Sequence, residues 1–156
     1  MKLSSGWEQS IYVLLILARL PEGHVMTSFA LADRLSVSPS YLKKTIKLLV
    51  NEGLLKSAPG KNGGFSLAKP LTDISFLDVF SAVEGRGRIF YSQRLLIKFL
   101  GLDADHGENC MISTTMNYLE ENLMSTLAAT KLSQIEQNNL QKHDLTNLDQ
   151  WIAEND

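Results

Sequence analysis

The chain has 156 residues, 44% of them hydrophobic and 21% charged, which is the make-up of a folded domain and not of a disordered chain. No apolar run reaches the ~20 residues of a membrane span, the longest (Ile11 to Ala18) being bounded by Glu8 and Arg19. One cysteine excludes an intrachain disulfide framework, and Met1-Lys2-Leu3-Ser4 lacks a secretory pattern, so a cytoplasmic protein is expected.

The formal net charge of −2 hides a split: residues 1–70 carry nine Lys/Arg against four Asp/Glu, and the remainder six against thirteen. A basic half and an acidic half suggest a polyanionic partner for the first. In that first half, Trp7, Ile11, Leu14, Leu15 and Ala18 follow helical spacing, with Ser4 or Ser5 as cap and Pro21 as terminator. Thr27 or Ser28 opens a second, short helix through Leu35, and Ser36-Val37-Ser38 makes a tight connection. Ser38-Pro39 pairs an N-cap with proline at the first helical position, starting a third helix that runs to Gly53.

Two short helices joined in this way, the second basic, form a helix-turn-helix. Ala32, Val37, Leu42 and Ile46 would make its small core, leaving Ser40, Tyr41, Lys43, Lys44 and Lys47 on the opposite face. Hydroxyls at a helix N-terminus and lysines along one side suit entry into a DNA major groove. Taken alone, such a face reads more readily as ordinary solvated lysines. The weight shifts with the next segment. Leu54 to Ser57 and Phe65 to Ala68 read as short strands around the glycine-rich turn Ala58-Pro59-Gly60-Lys61-Asn62-Gly63-Gly64. A hairpin placed after a recognition helix is a wing, and its bare backbone with Lys61 can approach phosphates. No nucleotide-binding glycine pattern is present in that turn.

These residues together are similar to the Rrf-two family of bacterial winged-helix regulators. The likeness lies in Met1-Lys2-Leu3-Ser4, Ser38-Pro39-Ser40-Tyr41-Leu42, Glu52-Gly53-Leu54-Leu55, the wing from Gly60 to Ala68, and Ile74 to Gly85. The resemblance implies a mainly α protein: a winged helix-turn-helix head with a two-stranded hairpin and a long C-terminal helix that pairs two protomers. It implies a sequence-specific homodimeric repressor of a two-fold operator. It also implies contacts to double-stranded DNA from Lys2, Ser4, Ser38, Ser40, Tyr41, Lys43, Lys44 and the wing residues Gly60, Lys61 and Asn62, to which the charged face adds Lys47. Two positions depart from the family pattern. Pro59 stands where a wing arginine is common, and Gly6 where a basic residue is common. For that reason a protein-interaction module that has lost DNA binding is the alternative.

Three segments are expected: residues 1–85 as the DNA-binding head, 86–135 as a sensor loop and dimerisation helix, and 136–156 as a polar tail with a short helix through Leu145, Leu148, Trp151 and Ile152. Ser75 caps a helix from Phe76 to Val83, and Ile89-Phe90-Tyr91 with Leu95, Leu96, Phe99 and Leu100 is strongly apolar and reads as another short helix. Met116, Leu119, Leu123, Met124 and Leu127 form one stripe of the dimerisation helix, a seam shared between chains. Cluster-holding members of the family use three cysteines before this helix; here Cys110 stands alone, too few for a cluster that takes about four ligands. Cys110 is then either a small core side chain or a redox-sensing thiol at a helix start. Asp103, Asp105, His106, Glu108 and Cys110 share no recurrent metal-ligand spacing, and no nucleophile–base pair stands in a recognisable motif. Neither a cofactor, a metal nor an enzyme is expected. An unknown effector, redox or small-molecule near Tyr91 and Arg94, is left open.

Overall fold

The computed structural model describes residues 3–103 and 110–156. Helix α1 (Ser5–Leu17) is apolar on almost every side, and Ile11 and Val13 to Leu17 are all buried. Such a helix must be surrounded. It forms the axis of the fold, touched by the other helices of the head, by the hairpin and by the C-terminal region.

Helix α2 (Ser28–Arg34) begins with the Thr27 hydroxyl accepting from the Ala30 amide. It ends in a double turn in which Val37 N–H donates to Ala32 O and Ser36 N–H to Asp33 O, both at 3.0 Å. This terminator puts one residue in the left-handed region, usually glycine. Ser36 holds that place, with φ at +53°. Helix α3 (Pro39–Asn51) ends in the same motif with Gly53 at φ +68°, Leu54 N–H reaching back to Leu49 O. The four expected core residues behave alike: Ala32, Leu42 and Ile46 are fully buried and Val37 packs on them.

Strands β1 (Leu55–Ala58) and β2 (Gly64–Leu67) pair antiparallel, Leu55 facing Leu67 and Ala58 facing Gly64. The hairpin is tied to the head by Met26 and Phe65, which exchange both backbone hydrogen bonds at 3.0 and 2.8 Å. Gly64 permits that exchange: a Cβ there would lie 2.7 Å from Met26 O.

A single 3-10 turn (Leu71–Asp73) leads to α4 (Phe76–Glu84), which opens with a reciprocal box between Ser75 and Asp78. Trp7 meets Phe76 edge-on, ring centroids 5.2 Å apart. The apolar stretch after Gly85 is helical only in α5 (Leu95–Leu100). Arg94 at φ +55° stops helix from extending toward Ile89, and Arg88 ties the preceding segment to Asn117 and Glu120.

Helix α6 (Met111–Ala129) packs its C-terminal part against α4 and buries only Leu127 fully. It stops where Thr130 to Leu132 turn extended and bond to the segment before α4: Phe76 N–H donates to Thr130 O, and Leu132 N–H to Ile74 O, each at 2.9 Å. The chain then restarts as α7 (Leu132–Lys142) instead of prolonging α6, because those backbone groups are spent on the bridge. Helix α8 (Thr146–Asn155) covers the expected amphipathic stretch. Leu132 and Ile152 share the head's own core with Leu14, Leu42 and Ile46, so the residues after 130 close the domain they began from.

Candidate nucleic-acid interface

Helix α3 presents one face to solvent because its apolar residues recur every three or four positions. Leu42, Thr45, Ile46 and Leu49 point inward, while Ser40, Tyr41, Lys43, Lys44 and Lys47 are exposed. The ion pairs among the described residues leave out Lys43, Lys44, Lys47 and Lys61. Four ammonium groups without carboxylate partners are available to phosphates.

Ser38 is exposed but occupied. Its Oγ accepts from the Tyr41 amide at 3.5 Å and shares a hydrogen with Ser40 Oγ at 3.1 Å. Its first role is to start the helix at the height where Ser40 and Tyr41 enter. Tyr41 is held as well, its hydroxyl lying over the N-terminal turn of α1. A Cβ added at Gly6 would sit 3.0 Å from that hydroxyl and 3.3 Å from Thr45 Oγ1. This bears on one departure from the family pattern: a side chain at position 6 would press on the Tyr41 and Thr45 side chains, which would have to give by a few tenths of an ångström.

Ser4 lies beside the same junction, but its amide and hydroxyl both donate to Glu84 Oε1, at 2.9 and 2.6 Å. That carboxylate anchors the start of α1 to the end of α4, a contact that residue type and spacing do not reveal. Lys2 lies outside the described residues. In the wing, Lys61 and Asn62 are exposed and Gly60 has φ at +103°. The tip is closed by Gly63 N–H donating to Gly60 O at 3.0 Å. Recognition helix and wing thus follow one another through the single turn at Gly53.

Cys110 is nine-tenths buried at the start of α6 and lines a cavity of about 560 Å³ with Phe90, Tyr91, Leu96, Phe99 and Ile112. The lining of that cavity is mostly apolar. Asp105, His106 and Glu108 fall outside the described residues, and among the described ones no three His, Cys, Asp or Glu side chains converge as metal ligands.

A family model described as an iron-dependent transcriptional regulator, Rrf2, matches residues 3–138. The chain belongs to the Rrf2 family. A Lactococcus lactis protein named as an HTH-type transcriptional regulator, YffB, is 59% identical over the full length of both chains. A second so named, YwgB of Bacillus subtilis, is 41% identical over 97% of this chain and 95% of its own. The solved structure of CymR, the global cysteine regulator of B. subtilis, has a TM-score of 0.67 at 19% identity, covering 88% of this chain and 98% of that one. IscR from T. potens has a TM-score of 0.65 at 19% identity over 88% of each chain. The protein is therefore a DNA-binding transcription regulator of winged-helix fold and not an enzyme. The family description implies iron, but a single buried thiol does not fit a thiolate-held cluster. Helix α8 lies beyond the matched stretch. No helix among the described residues is long and apolar enough to cross a membrane.

Proposed function

We propose that this Rrf2 regulator binds a two-fold operator in double-stranded DNA as a cytoplasmic homodimer and represses the adjacent genes. The observation that carries the DNA-reading part is the exposed face of α3, where Lys43, Lys44 and Lys47 have no ion-pair partner among the described residues. The lysines hold phosphates and set register, while Ser40 and Tyr41 reach base edges or sugar from the capped end of the helix. Lys61 and Asn62 follow the backbone at the flank, with Lys2 as a further contact near the N-terminus; Ser4 joins them only by giving up its bonds to Glu84.

The dimer is supported by α6, nineteen residues long, but not by the whole expected stripe: Leu127 is buried within the chain and Met116, Leu123 and Met124 are half-buried, while Leu119, with Met111, Ile112 and Tyr118, is exposed. Apolar surface of that extent on a long helix is stable when a second copy covers it. A dimer seated on a promoter blocks it sterically, which is the physical content of repression here. The linker from Arg86 to Arg94 joins recognition helix to α6: Arg86 pairs with Glu52 at 2.7 Å, and Arg88 with Glu120 at 3.4 Å. A redox or small-molecule effector acting near Tyr91 or Cys110 would alter the spacing of the two heads through it.

The test is fluorescence anisotropy on the protein's own upstream DNA across a salt series. Wild type is expected to bind with affinity falling steeply in salt, by about 0.9 log unit per log unit for each neutralised phosphate. The double variant Lys43→Ala/Lys44→Ala should flatten that slope by about two contacts. Absence of binding to any duplex at low salt would replace this reading with the protein-interaction module.

A further inference from the structure

We propose that α8 is an autoinhibitory strap that places an acidic side chain beside the wing and weakens DNA binding while it is docked. This rests on the DNA-binding reading above.

The docking is specific. Arg19 donates to both carboxylate oxygens of Asp149, at 2.7 and 2.8 Å. Arg34 of α2 donates to Asn147 at 3.0 Å and stacks over the Trp151 ring, 5.2 Å from its centroid. Ile152 is buried in the head's core. These contacts carry the end of α8 to the side of the wing, where Asp156 pairs with His24 Nδ1 at 2.9 Å. Asp156 and Lys61 line one cleft of about 390 Å³, together with His24, Thr27 and Asn62.

The cleft's charged and titratable groups are Asp156, His24 and Lys61. Lys61 is the cation at the wing's tip, so a carboxylate held in the same cleft opposes phosphate approach. Docked α8 therefore lowers affinity. The basic half of the chain carries its own counter-charge, delivered by the acidic half.

The experiment uses the full chain and a fluorescein-labelled random duplex of about 30 base pairs at about 50 mM salt, where binding is electrostatic. Screened Coulomb interaction across about 10 Å predicts about a 1.4-fold gain in affinity per unit of charge. Asp156→Asn should therefore bind about 1.4-fold tighter and Asp156→Lys about twofold tighter. Gln141→Lys, an equal +1 change on the exposed side of α7, should move affinity by less than half as much as Asp156→Asn. Wild-type affinity in both Asp156 variants refutes the strap, as does an equal effect from Gln141→Lys. If neither wild type nor variants bind duplex at all, the DNA reading itself fails and the strap fails with it.

Discussion

Replacing Gly64 by alanine tests how the wing is held. Gly64 does not need a left-handed backbone; it needs the absence of a side chain. A Cβ there would lie 2.7 Å from Met26 O, 2.8 Å from Met26 C and 3.0 Å from Met26 N. These are backbone atoms that cannot rotate away, so the hairpin must lift off the Met26 segment. That breaks the two hydrogen bonds exchanged between Met26 and Phe65, each worth about 1 kcal/mol net. It also disturbs packing around fully buried Met26, for which overpacking costs of about 1–3 kcal/mol apply. The sum is about 3–5 kcal/mol, or a fall in melting temperature of roughly 6–20 °C for a chain of this size. Thermal unfolding followed by circular dichroism reads it. Gly60→Ala is the contrast: nothing lies within 4 Å of its Cβ, but φ is +103°, so it carries backbone strain of about 1–3 kcal/mol with no lift of the hairpin. Both variants lose stability, but only Gly64→Ala should also expose the Met26 and Phe65 amides to hydrogen exchange. A Gly64→Ala melting temperature within about 2 °C of wild type would refute the close-approach argument.

Three further outcomes are expected. Ser36→Gly should stabilise the protein by about 1 kcal/mol, because a left-handed serine gives way to the residue that tolerates that conformation, and a chemical denaturation midpoint lower than wild type would overturn this. Ile152→Ala should cost about 2–4 kcal/mol by urea unfolding, a loss that a dispensable tail would not show. Burial pushes the Asp78 carboxyl up, but the Ser75 amide and hydroxyl, with Lys69 and Lys131, outweigh it and hold it below the ordinary 3.8. A carboxyl lowered in the fold adds stability above its unfolded value and loses it as pH falls through the folded one. Asp78→Asn should therefore cost about 1 kcal/mol at pH 7, and the gap to wild type should close as pH drops below about 4. A gap that stays constant down to pH 3 would show that the charge plays no part.

Much of the head was legible because its signals are local. Ser38-Pro39, the three- and four-residue spacing of Leu42, Ile46 and Leu49, and the glycines of the wing each state a backbone preference within a few residues. The exposed lysine face followed from the same periodicity, since a helix that buries one side must show the other. The start and end of α4 were written in Ser75 and Gly85. In the acidic second half the helical stripe from Met116 to Leu127 and the amphipathic stretch through Leu145, Leu148, Trp151 and Ile152 were legible by the same spacing.

What tertiary structure alone decided are the pairings between residues far apart in sequence. Gly6 in isolation is a weak residue for a helix; it is explained only when α3 brings the Tyr41 hydroxyl over it. Ser4 looks like a free cap until Glu84 takes both of its donors. The break between α6 and α7 has no glycine or proline to mark it, because the backbone of Thr130 to Leu132 leaves the helix to pair with Ile74 to Phe76. The polar segment that ends in α8 reads as a solvated tail until Ile152 enters the core and Asp149 meets Arg19, 130 positions away. Propensity and periodicity act over one or two turns of chain, whereas burial and charge pairing act in space, and only the folded backbone says which distant residues share that space.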